Sequence, residues 1–184
     1  MSALKVPVGA GDHAAGPAHA PITLVEYGDY ECPHCARAHP VIKRVQQALG
    51  DRLRFVFRNF PLGEMHAHAE HAAAAAEAVA ARGGEEAYWA MHDAIYAHQE
   101  DGPQALADAS LARYAAEAGV EGRAVLEDLR EQRFAERVQR DFMSGVRSGV
   151  NGTPTFFING VRLDGAWDEE GLIEAIEEAA AVGR

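Results

Sequence analysis

The sequence is poor in cysteine, in basic residues and in long apolar runs. Its 184 residues contain two cysteines, and 17 Lys and Arg face 28 Asp and Glu, for a formal net charge of −11. Such a surface lacks the basic patches that nucleic acids and anionic membranes require, so we expect neither as a partner. No apolar run approaches the roughly 18 residues of a membrane helix, so we expect no membrane insertion. The 48% hydrophobic content still suits a globular protein with a sizeable core.

The two cysteines exclude a disulfide-stapled secreted scaffold, which would carry several bridges along the chain. Cys32 and Cys35 stand three positions apart. A bridge between them closes a very small loop and stabilises the fold little, so chemistry explains the pair better than structure does. Residues 1–20 contain no apolar stretch typical of a secretory signal, which predicts a cytoplasmic location. A periplasmic or extracytoplasmic location stays open, because a signal is removed from mature proteins.

The order of the predicted elements indicates an α/β fold. Residues 22–27 are β-branched and aromatic and predict a buried strand, residues 33–49 predict a helix, and residues 53–57 predict a second strand. This order implies a right-handed parallel crossover. Near the C-terminus, the turn Asn159-Gly160 predicts a β-hairpin, and Asp168 is suited to cap a final helix.

The middle of the chain is Ala-rich and has helical periodicity throughout. We interpret residues 64–149 as an inserted all-helical domain. The two flanking segments, 21–63 and 150–181, then form the α/β domain, and residues 1–20 form a flexible lead-in. The apolar positions from Val125 to Val146 recur at helical spacing and form the last helical stretch of the insertion.

The tetrapeptide from Cys32 to Cys35 places two thiols at the start of a helix. Pro33 suits the first helical position, so Cys32 lies over the unpaired amides and the positive end of the helix dipole, which favour a thiolate. His34 can add a positive charge or a donor to the same sulfur. The two Cα atoms should lie about 5–6 Å apart, within disulfide range. We therefore predict Cys32 as the nucleophile and Cys35, one turn deeper, as the resolving thiol.

Two further features favour redox chemistry, and each has a structural alternative. Glu26 lies in an otherwise apolar strand, where a desolvated carboxyl beneath the helix could relay a proton to or from Cys35. The alternative is a glutamate at a strand end that faces solvent. Pro154 is tolerated at the first position of a strand on sheet grounds alone. A cis Thr153-Pro154 bond would instead expose the backbone of Thr153 for pairing with a peptide substrate.

The histidines invite a metal interpretation that the sequence does not complete. Cys32 and Cys35 are at most half of a zinc site, because the chain has no other thiols. His66, His68 and His71 lack a carboxylate or thiolate pattern that would finish a site, and we interpret them as solvated or groove-lining. We predict no metal and no cofactor.

Taken together, these residues resemble the thioredoxin superfamily and, within it, the DsbA-like branch. The resemblance rests on Cys32-Pro-His-Cys35 after the first strand, on the helical insertion, and on Gly152-Thr-Pro-Thr-Phe-Phe-Ile-Asn-Gly160. Asn59-Phe-Pro-Leu62 and Trp89-Ala-Met-His-Asp93 are also similar to that branch. The resemblance implies a thioredoxin-like fold (βαβ…ββα) with a large all-helical insertion.

The resemblance also implies roles for particular residues and an activity. It places Pro154 at the family's cis-proline position and Glu26 at its buried-acid position. It implies a thiol-disulfide oxidoreductase whose substrates are protein thiols or disulfides and which needs a further, unidentified redox partner. The Pro-His dipeptide is similar to that of strongly oxidising members, which favours the oxidising direction. Two alternatives stay open, a cytosolic disulfide reductase and a redox-sensing module that regulates binding to a partner.

Overall fold

The computed structural model describes residues 2–182 and contains one five-stranded mixed sheet with helices on both of its faces. The spatial order of the strands is β1-β3-β2-β4-β5. β2 and β3 are parallel, and the other neighbours are antiparallel. In chain order the elements are β1 (His13–Ala15), β2 (Ile22–Gly28), α1 (Pro33–Leu49), β3 (Leu53–Asn59), α2 (Ala69–His98), α3 (Asp108–Glu117), α4 (Gly122–Arg130), α5 (Ala135–Arg147), β4 (Thr155–Ile158), β5 (Val161–Arg162) and α6 (Glu169–Val182).

The thioredoxin-like α/β fold predicted from the sequence is confirmed. α1 connects the parallel strands β2 and β3, and the helices α2 to α5 all lie between β3 and β4 in the chain. The boundaries of an inserted domain over residues 64–149 stay a prediction. No helix within residues 2–182 is both long and apolar enough to cross a membrane.

Both faces of the sheet are buried, and alternate residues of β2 enter different apolar clusters. Leu24 packs in the larger cluster with α1, α2 and α6, whereas Val25 and Tyr27 belong to a smaller cluster on the opposite face. Because side chains alternate along a strand, Glu26 shares the face of Leu24. The strand therefore directs the carboxyl of Glu26 towards the helix that carries the two cysteines.

The C-terminal hairpin and helix follow their sequence signals. Asn159 and Gly160 have φ angles of 47° and 81°, as a two-residue hairpin turn requires. Asp168 precedes α6, and its Oδ1 accepts a hydrogen bond of 2.8 Å from the N–H of Gly171. Both predictions are confirmed.

The expectation of a flexible lead-in over residues 1–20 is wrong for the described part of that segment. β1 lies within it and pairs with β3, and Ala3 forms an isolated bridge with Val161 of β5. His13 is buried, and its Nε2 lies 2.9 Å from the carboxylate of Glu77. The N-terminal segment is held in place by polar contacts with distant segments, and hydrophobic periodicity in the sequence does not reveal such contacts.

The helical stretch predicted from Val125 to Val146 is divided into two helices in the structure. The chain forms α4 and α5, because Gln132 has a φ of 53° and ends the first helix. The N–H of Arg133 then bonds to the carbonyl of Asp128, as in a helix-terminating turn. Glycine usually signals such a turn, and a glutamine at this position gives no such signal.

Gly145 of α5 allows that helix to approach the sheet beneath the ends of β2 and β3. A Cβ atom at this position would lie 2.7 Å from the ring of Phe60 and 3.0 Å from the ring of Tyr27. Both rings belong to the smaller apolar cluster.

We predict that Gly145→Ala lowers the free energy of unfolding by about 1–3 kcal/mol, because the buried rings cannot yield without strain. Alanine is otherwise favoured in a helix by about 1 kcal/mol, so this contact decides the sign of the effect. Urea unfolding would measure it. Gly11→Ala is the control, since nothing lies within 4 Å of a Cβ there. A Gly145→Ala variant as stable as the unmodified protein would contradict this account of the packing.

Candidate active site

The two cysteines lie where β2 has ended and α1 begins. Cys32 is the N-cap residue of α1, with extended backbone angles, and Pro33 occupies the first helical position. The side chain of Cys35 is fully buried, whereas Cys32 retains 4% exposure. Both are free thiols in the structure. The sulfur of Cys32 therefore lies nearer the surface than the sulfur of Cys35.

Asp29 shapes the turn between β2 and α1. Its buried carboxylate accepts hydrogen bonds from the N–H groups of Glu31 and Leu62, at 2.8 and 2.9 Å. Its own N–H points at Cys35 Sγ, 3.5 Å away, and its carbonyl accepts the N–H of Cys32. The sequence analysis did not identify Asp29 as a site residue. The only signal was a polar residue directly after a buried strand.

Cys32 has a strongly lowered pKa of about 5. The largest cause is a hydrogen bond from the thiol of Cys35, which stabilises the Cys32 thiolate and outweighs the opposing effect of burial. Smaller contributions come from the N–H groups of Cys35 and His34. This is the environment that a helix start gives to a thiolate.

His34 acts on this sulfur through its backbone. Its ring is exposed, and its Nδ1 accepts a hydrogen bond from the guanidinium of Arg37 in the next turn of α1. The N–H of His34, in contrast, is one of the groups that lower the pKa of Cys32. The prediction from the sequence, that the side chain supplies the charge or the donor, differs from this geometry.

Cys35 has the opposite electrostatic environment. Burial raises the pKa of its thiol well above the usual value, and the bond to Cys32 and the carboxylate of Glu26 raise it further. The last proton of the pair therefore stays on Cys35 while Cys32 is ionised. The two thiols differ in proton affinity because one faces the helix amides and the other faces the core.

Glu26 is buried beneath this pair. Its side chain is only 3% exposed, so the alternative of a solvent-facing glutamate is wrong. Burial raises its pKa to about 8, and the negative charge of Cys32 contributes to the same shift. A carboxyl with this pKa exchanges its proton near neutral pH, which is the property a proton relay requires.

The loop before β4 brings a second segment to the same sulfur. The Thr153-Pro154 peptide bond is cis, and the carbonyl oxygen of Thr153 lies 3.6 Å from Cys32 Sγ. β4 then pairs antiparallel with β2, the strand that leads to the cysteines. Adjacency in the sheet thus unites residues 121 positions apart in the sequence.

The histidines singled out in the sequence do not form one site. His66 Nδ1 lies 2.7 Å from Asp29, and this carboxylate raises the pKa of His66 against the opposing effect of burial. His71 pairs at the surface with Asp108, at 2.7 Å. His68 donates its backbone N–H to the carboxylate of Glu31. Each belongs to a separate contact.

A groove of about 620 Å³ adjoins the loop that Asp29 holds in place. Residues 61–65 form one wall, and the side chain of Met65 is 75% exposed. The opposite wall comes from α5, including Val138 and Phe142. Its lining is mainly apolar, so it can accept apolar side chains of another polypeptide.

The pKa of Cys32 predicts how fast this thiol is alkylated at different pH values. Iodoacetamide reacts with the thiolate, so the rate for reduced protein should be flat above about pH 6 and fall about tenfold per unit below pH 5. Cys35→Ala removes the largest stabilising bond and should move this profile to higher pH. Urea-unfolded protein is the control and should titrate near an ordinary thiol value of about 8.5. A profile of folded protein that matches the unfolded control would contradict the assignment.

Comparison with known proteins agrees with this geometry. The sequence model of the thioredoxin family matches residues 9–178. BdbD from Bacillus subtilis, in its oxidised form, is 25% identical, with 98% of each chain covered and a TM-score of 0.86. A thioredoxin-like oxidoreductase from Silicibacter pomeroyi is 26% identical, with 94% of each chain covered and a TM-score of 0.77. Wolbachia pipientis alpha-DsbA1 shares the fold at 21% identity, covering 98% of this chain and 96% of its own, with a TM-score of 0.81.

Curated relatives match over only part of their length. A protein of Salinispora tropica named Na(+)/H(+) antiporter NhaA 3 is 41% identical over 182 residues, which is 98% of this chain and 27% of that protein. A protein of Salinispora arenicola named Na(+)/H(+) antiporter NhaA 1 is 40% identical over 179 residues, which is 97% of this chain and 26% of that protein. The chain thus spans about a quarter of the curated relatives it matches. The family match over residues 9–178 shows that this chain belongs to the thioredoxin family, and its helical insertion lies between β3 and β4.

Proposed function

We propose that this protein is a thiol-disulfide oxidoreductase that oxidises protein substrates through the Cys32–Cys35 pair. The observation that carries the proposal is the placement of the two thiols, with Cys32 at the N-cap of α1 and Cys35 fully buried one turn deeper, which lowers the pKa of Cys32 to about 5 and raises that of Cys35. A structural pair of buried thiols would have no reason to differ in this way. The oxidoreductase named among the similar structures supports the same activity.

In the oxidising reaction, a substrate thiolate attacks Sγ of Cys32 in the enzyme disulfide. The bond between the two enzyme sulfurs breaks, and Cys35 leaves with the electron pair and takes up a proton. A second substrate thiolate then attacks the substrate sulfur of the mixed disulfide and releases Cys32 as a thiolate. The substrate has lost two electrons and gained a disulfide, and the enzyme has been reduced to the dithiol.

The low pKa of Cys32 favours this direction. At pH 7, two units above its pKa, about 99% of Cys32 is thiolate, against a few per cent of an ordinary thiol. Stabilising the thiolate stabilises the reduced enzyme, which makes its disulfide a stronger oxidant. A reduction potential well above the roughly −270 mV of thioredoxin would support an oxidase, and one at or below that value would support the cytosolic reductase alternative.

Thr153 and the groove beside residues 61–65 are the proposed substrate contacts. The backbone of Thr153 lies beside Cys32 and precedes β4, so an extended substrate can pair with it as a strand would. The apolar lining of the groove suits the side chains of an incompletely folded protein. The reduced protein then passes its electrons to a redox partner that stays unidentified. We retain the cytoplasm as the proposed location, and trapping the thiols in intact cells would show whether the pair is held reduced, as expected there.

We predict different outcomes for substitution of the two cysteines. Cys32→Ser should abolish turnover in an insulin-reduction or dithiol-oxidation assay, because the attacking sulfur is lost. Cys35→Ser should instead accumulate mixed disulfides with substrate, visible on non-reducing gels. Mixed disulfides in Cys32→Ser rather than in Cys35→Ser would reverse the two roles. If the unmodified protein completes no turnovers yet binds one partner only in one redox state, the regulatory-module alternative replaces the enzyme.

We predict that Glu26→Gln slows the step in which Cys35 attacks the mixed disulfide. Ionised Glu26 accepts the proton of Cys35, so in the unmodified protein this rate should rise with pH through the pKa of Glu26, which burial raises above the usual carboxyl value even without the charge of Cys32. The variant should be roughly 100-fold slower at pH values near that pKa, as expected for loss of a general base. Single-turnover release of a chromophoric thiol attached to Cys32 measures the step.

Glu86→Gln is the matched control for Glu26, because Glu86 is exposed on α2 and does not line the groove. It should keep the rate and the pH profile of the unmodified protein. Equal rates and equal profiles for Glu26→Gln and the unmodified protein would exclude the relay.

A further inference from the structure

A cluster of potential metal ligands lies outside the cysteine pair, between α1 and α2. His39 belongs to α1, and His92 and Asp93 belong to α2. One ligand atom from each residue lies within 4.8 Å of the other two. The sequence gives no local signal for this cluster, because 53 positions separate the two histidines. Nothing in the proposed thiol chemistry uses these three residues.

One oxygen of Asp93 lacks the partner that a buried acceptor normally has. Asp93 Oδ1 is buried and accepts no hydrogen bond from any residue within 2–182. It lies 3.3 Å from His39 Nε2, in a geometry that makes no hydrogen bond. Its other oxygen, Oδ2, is held 2.8 Å from Lys43 Nζ. An unpaired buried carboxylate oxygen beside an imidazole nitrogen is a position that a divalent cation would satisfy.

Neighbouring groups orient the proposed ligands. His92 is buried, and its Nδ1 lies 2.9 Å from the hydroxyl of Tyr30, which fixes the orientation of the ring. Lys43 does the same for the carboxylate of Asp93. Metal-binding imidazoles and carboxylates typically have such outer partners.

The cluster is open to solvent on one side. The side chains of Asp93 and Lys43 are 41% and 45% exposed, whereas His92 is buried. A cation can therefore enter past Asp93, and a water molecule can complete the coordination. Because Lys43 is so exposed, its ammonium group can move into solvent when a second positive charge arrives.

We propose that one ring nitrogen each of His39 and His92, together with Asp93 Oδ1 and a water, bind Zn²⁺. Two imidazoles, one carboxylate and a water are a set that zinc accepts in tetrahedral geometry. Such a site joins α1, the helix of both cysteines, to α2 of the helical insertion. His39 lies one turn after Cys35, and Tyr30 lies two positions before Cys32. A bound metal would therefore hold the cysteine-bearing helix α1 against α2.

The test uses the full chain in its disulfide form, so that the cysteine thiolates cannot bind metal. Calorimetric titration with ZnCl₂ should show one equivalent bound, and the thermal unfolding midpoint should rise with zinc concentration. Co²⁺ in place of zinc should give visible d–d bands without sulfur charge-transfer bands in the near ultraviolet. His39→Ala and Asp93→Asn should each weaken zinc binding at least about tenfold, since loss of an outer partner alone costs about that much.

His71→Ala is the matched control, because His71 and Asp108 form a similar pair 2.7 Å apart at the surface, outside the cluster. It should keep the affinity of the unmodified protein. Absence of zinc binding by the oxidised protein, or equal affinity in Asp93→Asn and the unmodified protein, would overturn the site. If His39→Ala fails to fold by circular dichroism, Asp93→Asn decides the question alone.

Discussion

The hydrogen bond from the thiol of Cys35 to the sulfur of Cys32 is the interaction on which the rest of the site depends. It is the largest cause of the low pKa of Cys32, and it requires Cys35 to keep its proton. Cys35 keeps it because the sheet and α1 enclose that thiol completely. The start of α1 at Cys32, the buried thiol of Cys35 and the carboxyl of Glu26 therefore depend on one another.

Asp29 keeps this arrangement in place. It fastens the turn before Cys32 to the loop after β3 through the N–H of Leu62, and it pairs with His66 in that loop. Gln99, at the end of α2, adds hydrogen bonds to the carbonyls of Tyr30 and Cys32. The turn is thus held both from the thioredoxin-like sheet and from the helical insertion, so the sulfur is positioned by two parts of the fold rather than by α1 alone.

Local sequence signals predicted the parts of this structure that local forces decide. The hairpin at Asn159-Gly160, the cap at Asp168 and the thiol pair at a helix start all depend on residues within one turn of each other. β1 and the break at Gln132 depend on contacts or angles that no local pattern encodes.

The same distinction holds in the site. The positions of Cys32 and Cys35 could be predicted from their spacing. Strand alternation left the direction of Glu26 open, and only the packed sheet shows that it points inward. The roles of Asp29 and the cluster around His92 arise from side chains that meet across α1, α2 and the loop after β3, so they required the folded chain.

The N-terminal segment pairs with strands at both sides of the sheet. β1 covers β3 on one side, and on the other side Ala3 pairs with Val161 while the carbonyl of Ser2 accepts the N–H of Arg162. Unpaired edge strands promote non-specific association between copies of a protein. Because the N-terminal segment pairs with β3 at one side of the sheet and with β5 at the other, it shortens the stretch of sheet edge that a second polypeptide could reach.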